Sequence, residues 1–135
     1  MDTAILPFSD GASASAPRVL VVDDQPVFRQ AARLLLKRRG YPVVAEASGA
    51  VSALDAVERF APEAVLLDVR LGDDDGIDVC RTLMRARPGL AVLLTSTFEY
   101  DHCDDLVASS GACGFISKRR LLDTDFGQFW RRSRP

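Results

Sequence analysis

Three short stretches constrain this chain more than anything else in it: Val19-Leu20-Val21-Val22, Ala64-Val65-Leu66-Leu67 and Ala91-Val92-Leu93-Leu94. None alternates apolar with polar residues. A strand with one wet face alternates, so uninterrupted aliphatic runs require cover on both faces, as in a parallel sheet with helices on either side. The segments between them carry the helical period. Val27, Ala31, Leu34 and Leu35 share one face of a helix that Pro26 opens and Arg38-Arg39-Gly40 closes. Val43 to Ala47 then reads as a strand, Ser48 as a helix cap, and Val51, Leu54, Val57 and Ala61 as an apolar stripe ending before Pro62. Ile77, Cys80, Leu83 and Met84 mark a third helix, and residues 99–109 a weaker fourth. Gly114 to Ser117 is a fifth strand, and Leu122, Phe126, Phe129 and Trp130 make a short last helix weakened by Gly127. Five strands therefore alternate with five helices through right-handed crossovers.

At 135 residues the chain has the size of one domain. The first seventeen residues are small and polar with no sustained period, which predicts a flexible leader over 1–17, a folded body over 18–131 and a basic tail over 132–135. The formal net charge is only −2, too little for a domain whose main task is holding phosphate backbones. Six of the 17 basic residues fall in 118–135, where Arg131-Arg132-Ser133-Arg134 reads as a solvated helix end. Cys80, Cys103 and Cys113 match neither a zinc site nor a disulfide framework. With no apolar run of membrane length and acids where a signal peptide carries cations, the expected location is the cytoplasm, with no membrane partner.

In an open parallel sheet, ligands bind outside the carboxyl ends of the strands. Those ends carry Asp23-Asp24, Asp68, Thr95 and Lys118. Singly, each is an ordinary helix cap or a solvated side chain. Together they converge on one mouth. Two carboxylates about 4 Å apart repel by roughly 4 kcal/mol at an effective dielectric of 20, so three of them call for a cation. Mg²⁺ fits, because it takes one or two carboxylates together with waters and phosphate oxygens. One metal and one ammonium around a carboxylate suit a phosphoryl group.

The motifs Val21-Val22-Asp23-Asp24-Gln25-Pro26, Leu66-Leu67-Asp68-Val69-Arg70-Leu71 with Gly76 downstream, Leu94-Thr95-Ser96, and Gly111 to Lys118 make the chain resemble the receiver domain of bacterial two-component response regulators. The resemblance covers residues 18 to about 131. It implies a chemotaxis-regulator-like, flavodoxin-like fold with strand order 2-1-3-4-5. It also implies that Asp68 is the phosphoacceptor for a histidine kinase, and that Asp23, Asp24, Asp68 and the backbone carbonyl of Arg70 hold Mg²⁺. Lys118 and Thr95 would bind the phosphoryl oxygens, and Thr95 and Phe115 would form the switch that alters the face made by the fourth helix, the fifth strand and the last helix. Arg70 and Thr97 lie where the family tunes loss of the phosphate. Beyond its own phosphotransfer and dephosphorylation, such a domain is not an enzyme. The implied partners are the kinase at the first helix, through Phe28, Arg29, Ala32 and Arg33, and an output protein or second copy at the face bearing Phe98, Tyr100 and Phe115. Direct nucleic-acid binding is not expected.

Three departures stand out. The family commonly has proline where Gly72 and Arg119 stand, so the peptide after Lys118 is expected to be trans. Asp73-Asp74-Asp75 reads as a solvated acidic loop. An EF-hand register would put Leu71 and Thr82 at ligand positions, which neither can fill. Glycine-rich nucleotide motifs are absent, and His102 reads as a surface histidine. The competing function is a pseudo-receiver: the same fold, not phosphorylated, acting as a protein interaction module.

Overall fold

The computed structural model describes residues 16–98 and 104–130. The leader up to residue 15, the tail from 131, and the readings made on Tyr100, His102 and Cys103 lie outside the described residues. Five strands, β1 (Val19–Val22), β2 (Val43–Ala47), β3 (Ala64–Asp68), β4 (Ala91–Ser96) and β5 (Gly114–Ser117), form one sheet in the order β2-β1-β3-β4-β5. All four pairings are parallel. The three apolar runs occupy its centre and are buried throughout except at Ala91, which is partly buried. Their alternate side chains feed two cores. Leu20, Val22, Val65, Leu67, Val92 and Leu94 face one way, and Val19, Val21, Leu66 and Leu93 the other.

The helices are α1 (Pro26–Arg38), α2 (Ala50–Phe60), α3 (Gly76–Ala86) and α4 (Asp104–Ser110). α3 buries Ile77, Cys80 and Leu83, as its spacing predicts. α1 and α2 are rotated from the predicted stripes. α1 is apolar around most of its circumference, so two faces compete. The sheet takes Phe28, Ala32, Leu35 and Leu36, while Val27 stays 80% exposed. With this face inward, Arg29 and Arg33 both reach Glu46 on β2 and the other stripe lies outward. In α2 the inward residues are Ala53, Ala56 and Val57, and Val51 is 86% exposed. Ala61 lies beyond the helix end, at φ 46°. The small alanines let α2 approach the sheet, a reason that a search for large aliphatics overlooks.

The last helical segment is built as two 3-10 helices, Lys118–Asp123 and Phe126–Gln128, rather than one α-helix. Asp125 restarts the chain by accepting a hydrogen bond from Gly127 N, which interrupts the α period. This segment folds back onto the end of α1. The Arg39 guanidinium donates to the carbonyls of Leu122 and Thr124, Phe126 and Trp130 stack at 5.1 Å, and the Tyr41 ring meets both edge-on. Arg39→Ala is expected to lower stability by about 1–2 kcal/mol, the scale of lost charge-assisted hydrogen bonds. Urea unfolding followed by Trp130 fluorescence measures it; an unchanged midpoint would count against the clamp.

Candidate functional site at the carboxyl ends of the strands

Asp23 directly follows β1 and is completely buried. One carboxylate oxygen accepts a hydrogen bond from Gln25 N at 2.9 Å. The other lies 2.7 Å from Lys118 Nζ. Its backbone carbonyl takes Arg29 Nη1 at 2.7 Å, so the acid is fixed by both its main chain and its side chain. Asp68 ends β3 and is also buried. Its Oδ1 accepts from Arg70 N and its Oδ2 from Lys118 Nζ, each at 3.0 Å. Asp24 is exposed beside them, and oxygens from the three carboxylates lie within 4.8 Å of one another.

Lys118 thus bridges two buried acids, and its ammonium sits 4.0 Å from the centre of the Phe28 ring. That cation–π contact closes the remaining side. Burial pulls the Lys118 pKa down, but its hydrogen bonds to Asp23 and Asp68 outweigh that and hold it above the usual lysine value. Burial also raises the Asp68 pKa to about 6; the Arg70 N–H opposes the rise, Asp23 adds to it and Lys118 opposes it. Among the described residues, the donor set fits a hard divalent ion: three carboxylates in one place with a single cation as counter-charge.

Thr95 stands opposite Asp68 in the β3–β4 register, buried, with no hydrogen-bond partner for its hydroxyl. Phe115 on β5 is half-buried against the core on the α2–α3 side. The strand ends therefore gather Asp23, Asp24, Asp68 and Lys118 into one cluster, with Thr95 beside Asp68. Every peptide bond of the described chain is trans, including that after Lys118.

Of the first-helix residues expected to meet a kinase, Phe28 lies against Lys118, Arg29 holds Asp23 and Glu46, Ala32 is buried and Arg33 is exposed. The acidic run is exposed, as expected, and also builds local structure. After β3 the chain forms a two-stranded ribbon, Arg70–Leu71 against Asp74–Asp75, turned by Gly72 at φ 63°. Asp75 caps α3 by accepting from Ile77 N at 2.8 Å. Asp74 accepts from Ala50 N, also at 2.8 Å, and so caps α2 from outside it. Ser48, the cap expected from sequence, precedes the N-cap residue Gly49.

A family profile described as the response regulator receiver domain matches residues 19–124. The chain belongs to that family. Among curated relatives of this receiver, the protein named "Probable transcriptional regulatory protein TcrX" of Mycobacterium tuberculosis is 38% identical over 102 residues, 74% of this chain and 42% of its own. A protein-glutamate methylesterase/protein-glutamine glutaminase of Alkalilimnicola ehrlichii is 33% identical over 105 residues, 76% of this chain but 27% of its own. The receiver thus spans about half or less of the curated relatives' length. Among solved structures, a LuxR-family two-component response regulator from Aurantimonas sp. SI85-9A1 superposes with a TM-score of 0.70 at 30% identity, covering 77% of this receiver and 75% of that chain. A CheY-like receiver domain protein from Methanospirillum hungatei JF-1 gives 0.69 at 25% identity over 81% and 90%. No helix among the described residues is long and apolar enough to cross a membrane.

Proposed function

We propose that this receiver accepts a phosphoryl group on Asp68 from a phosphohistidine of a partner kinase, with Mg²⁺ held by Asp23, Asp24, Asp68 and the Arg70 carbonyl. The observation that carries this is the Lys118 bridge: a fixed ammonium 3.0 Å from Asp68 Oδ2, within a cluster of three acids. When bound, Mg²⁺ would neutralise phosphoryl oxygens and let an anionic donor approach the acidic mouth. The chain's own residues do the rest. The Arg70 N–H and Lys118 orient the Asp68 carboxylate so that one oxygen can attack phosphorus. The new P–O bond forms as the P–N bond to histidine breaks, and the electron pair leaves on the imidazole. Lys118 then compensates the charge on the phosphoryl oxygens. Asp23, already held through Gln25 N and its own carbonyl, keeps its position throughout.

The Thr95 hydroxyl, buried and unpaired, is a donor in waiting for a phosphoryl oxygen on its register neighbour Asp68. Thr95→Val removes that donor at nearly constant shape. Without phosphate the variant should be as stable as wild type to within about 1 kcal/mol, because no protein hydrogen bond is lost. It should nonetheless lose the conformational response to phosphorylation, read from backbone amide shifts around Phe115. A full response in Thr95→Val would remove Thr95 from the switch.

The signalling face would lie on the α4 side of β5, where Phe98 and Leu106 are partly exposed. The 3-10 segment after Lys118 is engaged with α1 through Arg39 and Tyr41, so it contributes to this face mainly through exposed Leu122. The pseudo-receiver reading predicts a cluster missing one of its acids or its lysine, whereas all four groups are present and in contact or close approach. Beryllofluoride, a phosphoryl mimic, tests the proposal. It should shift amide resonances near Thr95 and Phe115 only with Mg²⁺ present and only with Asp68 intact; no shift in wild type would refute it.

A further inference from the structure

α2 begins without a cap of its own. Gly49 at its N-cap has no side chain, and Ser52 Oγ turns back to accept from Ser48 N and Gly49 N rather than serving the first turn. The carboxylate that fills the gap belongs to Asp74, 24 residues later, whose Oδ2 takes Ala50 N at 2.8 Å. Glycine at 49 makes the approach possible, because a Cβ there would come within 2.9 Å of that oxygen. Asp74 also pairs with Leu71 in the ribbon that starts at Arg70. On its other side the ribbon is fixed: Val69 N bonds Thr95 O, Gly76 N bonds Val69 O, and Asp75 caps α3. The ribbon's outer half is held by Leu71, buried in the core beneath it, and by Asp74, which adds a polar tether to α2.

We propose that Asp74 is a positioning residue for the metal site: by capping α2 from the ribbon it holds the segment that begins at Arg70 against the body of the domain, and it couples that segment to α2. The inference rests on the reading that this site binds Mg²⁺. Side chains that orient ligands from behind change metal affinity by about 10- to 100-fold when removed. Coupling of this kind is reciprocal, so Mg²⁺ should in turn protect the Ala50 amide from exchange.

Charge and tether are separable. Asp74→Ala removes both, and Asp74→Asn keeps an acceptor for Ala50 N without the charge. Gly49→Ala keeps the charge but pushes the carboxylate away, and exposed Asp73→Asn removes a charge from the same loop as a control. Mg²⁺ affinity by titration calorimetry should fall about tenfold in Asp74→Ala, by a smaller factor in Gly49→Ala, where the flexible carboxylate can yield to the added Cβ, and less than about threefold in the two Asn variants. Amide exchange in metal-free protein should speed up at Ala50 and at Leu71 in the first pair alone. If Asp73→Asn weakens binding as much as Asp74→Ala, or if Asp74→Ala binds like wild type, the positioning role is wrong. Should wild type bind no Mg²⁺ at all, the functional reading fails instead, and the exchange data still decide whether Asp74 ties the ribbon to α2.

Discussion

In the absence of Mg²⁺ at neutral pH, Asp68→Asn should unfold at higher urea than wild type. The reason is the local charge balance: three carboxylates share one ammonium, and the buried Asp68 has its pKa raised from 3.8 to about 6. A carboxyl group that binds its proton more tightly when folded contributes stability fully present below the unfolded value. That contribution is lost as pH rises through about 6. Each pK unit corresponds to about 1.4 kcal/mol, and part of the gain is offset by the lost contact with Lys118, so the variant should be ahead by about 1–3 kcal/mol at pH 7. The gap should shrink as pH falls through about 6 and be largely closed near pH 4, where folded Asp68 is protonated and the unfolded carboxyl has begun to be. Urea titrations with a chelator at several pH values test this. A variant less stable than wild type, or a gap that does not change with pH, would contradict the site's electrostatics. Saturating Mg²⁺ should narrow or reverse the order, because wild type offers one more ligand and gains more from binding.

Removing the ammonium should do the opposite and do it more strongly. Lys118→Ala leaves the buried carboxylates of Asp23 and Asp68 facing each other without the cation 2.7 and 3.0 Å away. Breaking a buried ion pair by deleting one partner costs about 3–5 kcal/mol. The loss should therefore be a large fraction of the stability of a domain this size. Lys118→Met keeps most of the stem over Phe28 and separates packing from charge; it should recover only a minor part. Mg²⁺ should restore much of the deficit in both variants, and lowering the pH should do so partly, as Asp68, raised further once Lys118 no longer opposes the rise, takes up a proton. A Lys118→Ala protein within 1 kcal/mol of wild type in chelator would mean that the ammonium is not the counter-charge of the cluster.

The strand ends were legible because a parallel sheet obliges its central strands to be apolar throughout, so the first polar residue after each marks the site. That logic gives Asp23, Asp68 and Thr95 and needs no side-chain detail; Lys118, after the edge strand β5 and its polar Ser117, is legible from its place in the Gly111 to Lys118 motif. Helix faces were less legible for a related reason. α1 is apolar on two sides, and its pattern alone does not say which of them the sheet takes; in the fold the buried side is the one flanked by Arg29 and Arg33, which reach Glu46. Phe28 was visible as an aromatic, yet its place over Lys118 depends on that same rotation of the helix. Asp74 could not be assigned from local pattern at all, since its partner, Ala50, is remote in sequence; the one hint is Gly49, a helix start lacking a capping side chain. The last segment reads as an α-helix by period, but Asp125 and Gly127 break it into 3-10 turns.

The central claim is that Asp68 takes a covalent phosphoryl group with magnesium's help, and intact-mass spectrometry after incubation with the phosphorylated histidine kinase domain or a small acyl phosphate measures it most directly. One added phosphoryl group is expected in wild type, none when Mg²⁺ is chelated and none in Asp68→Asn. Absence of uptake from every donor, or undiminished uptake in Asp68→Asn, would contradict it.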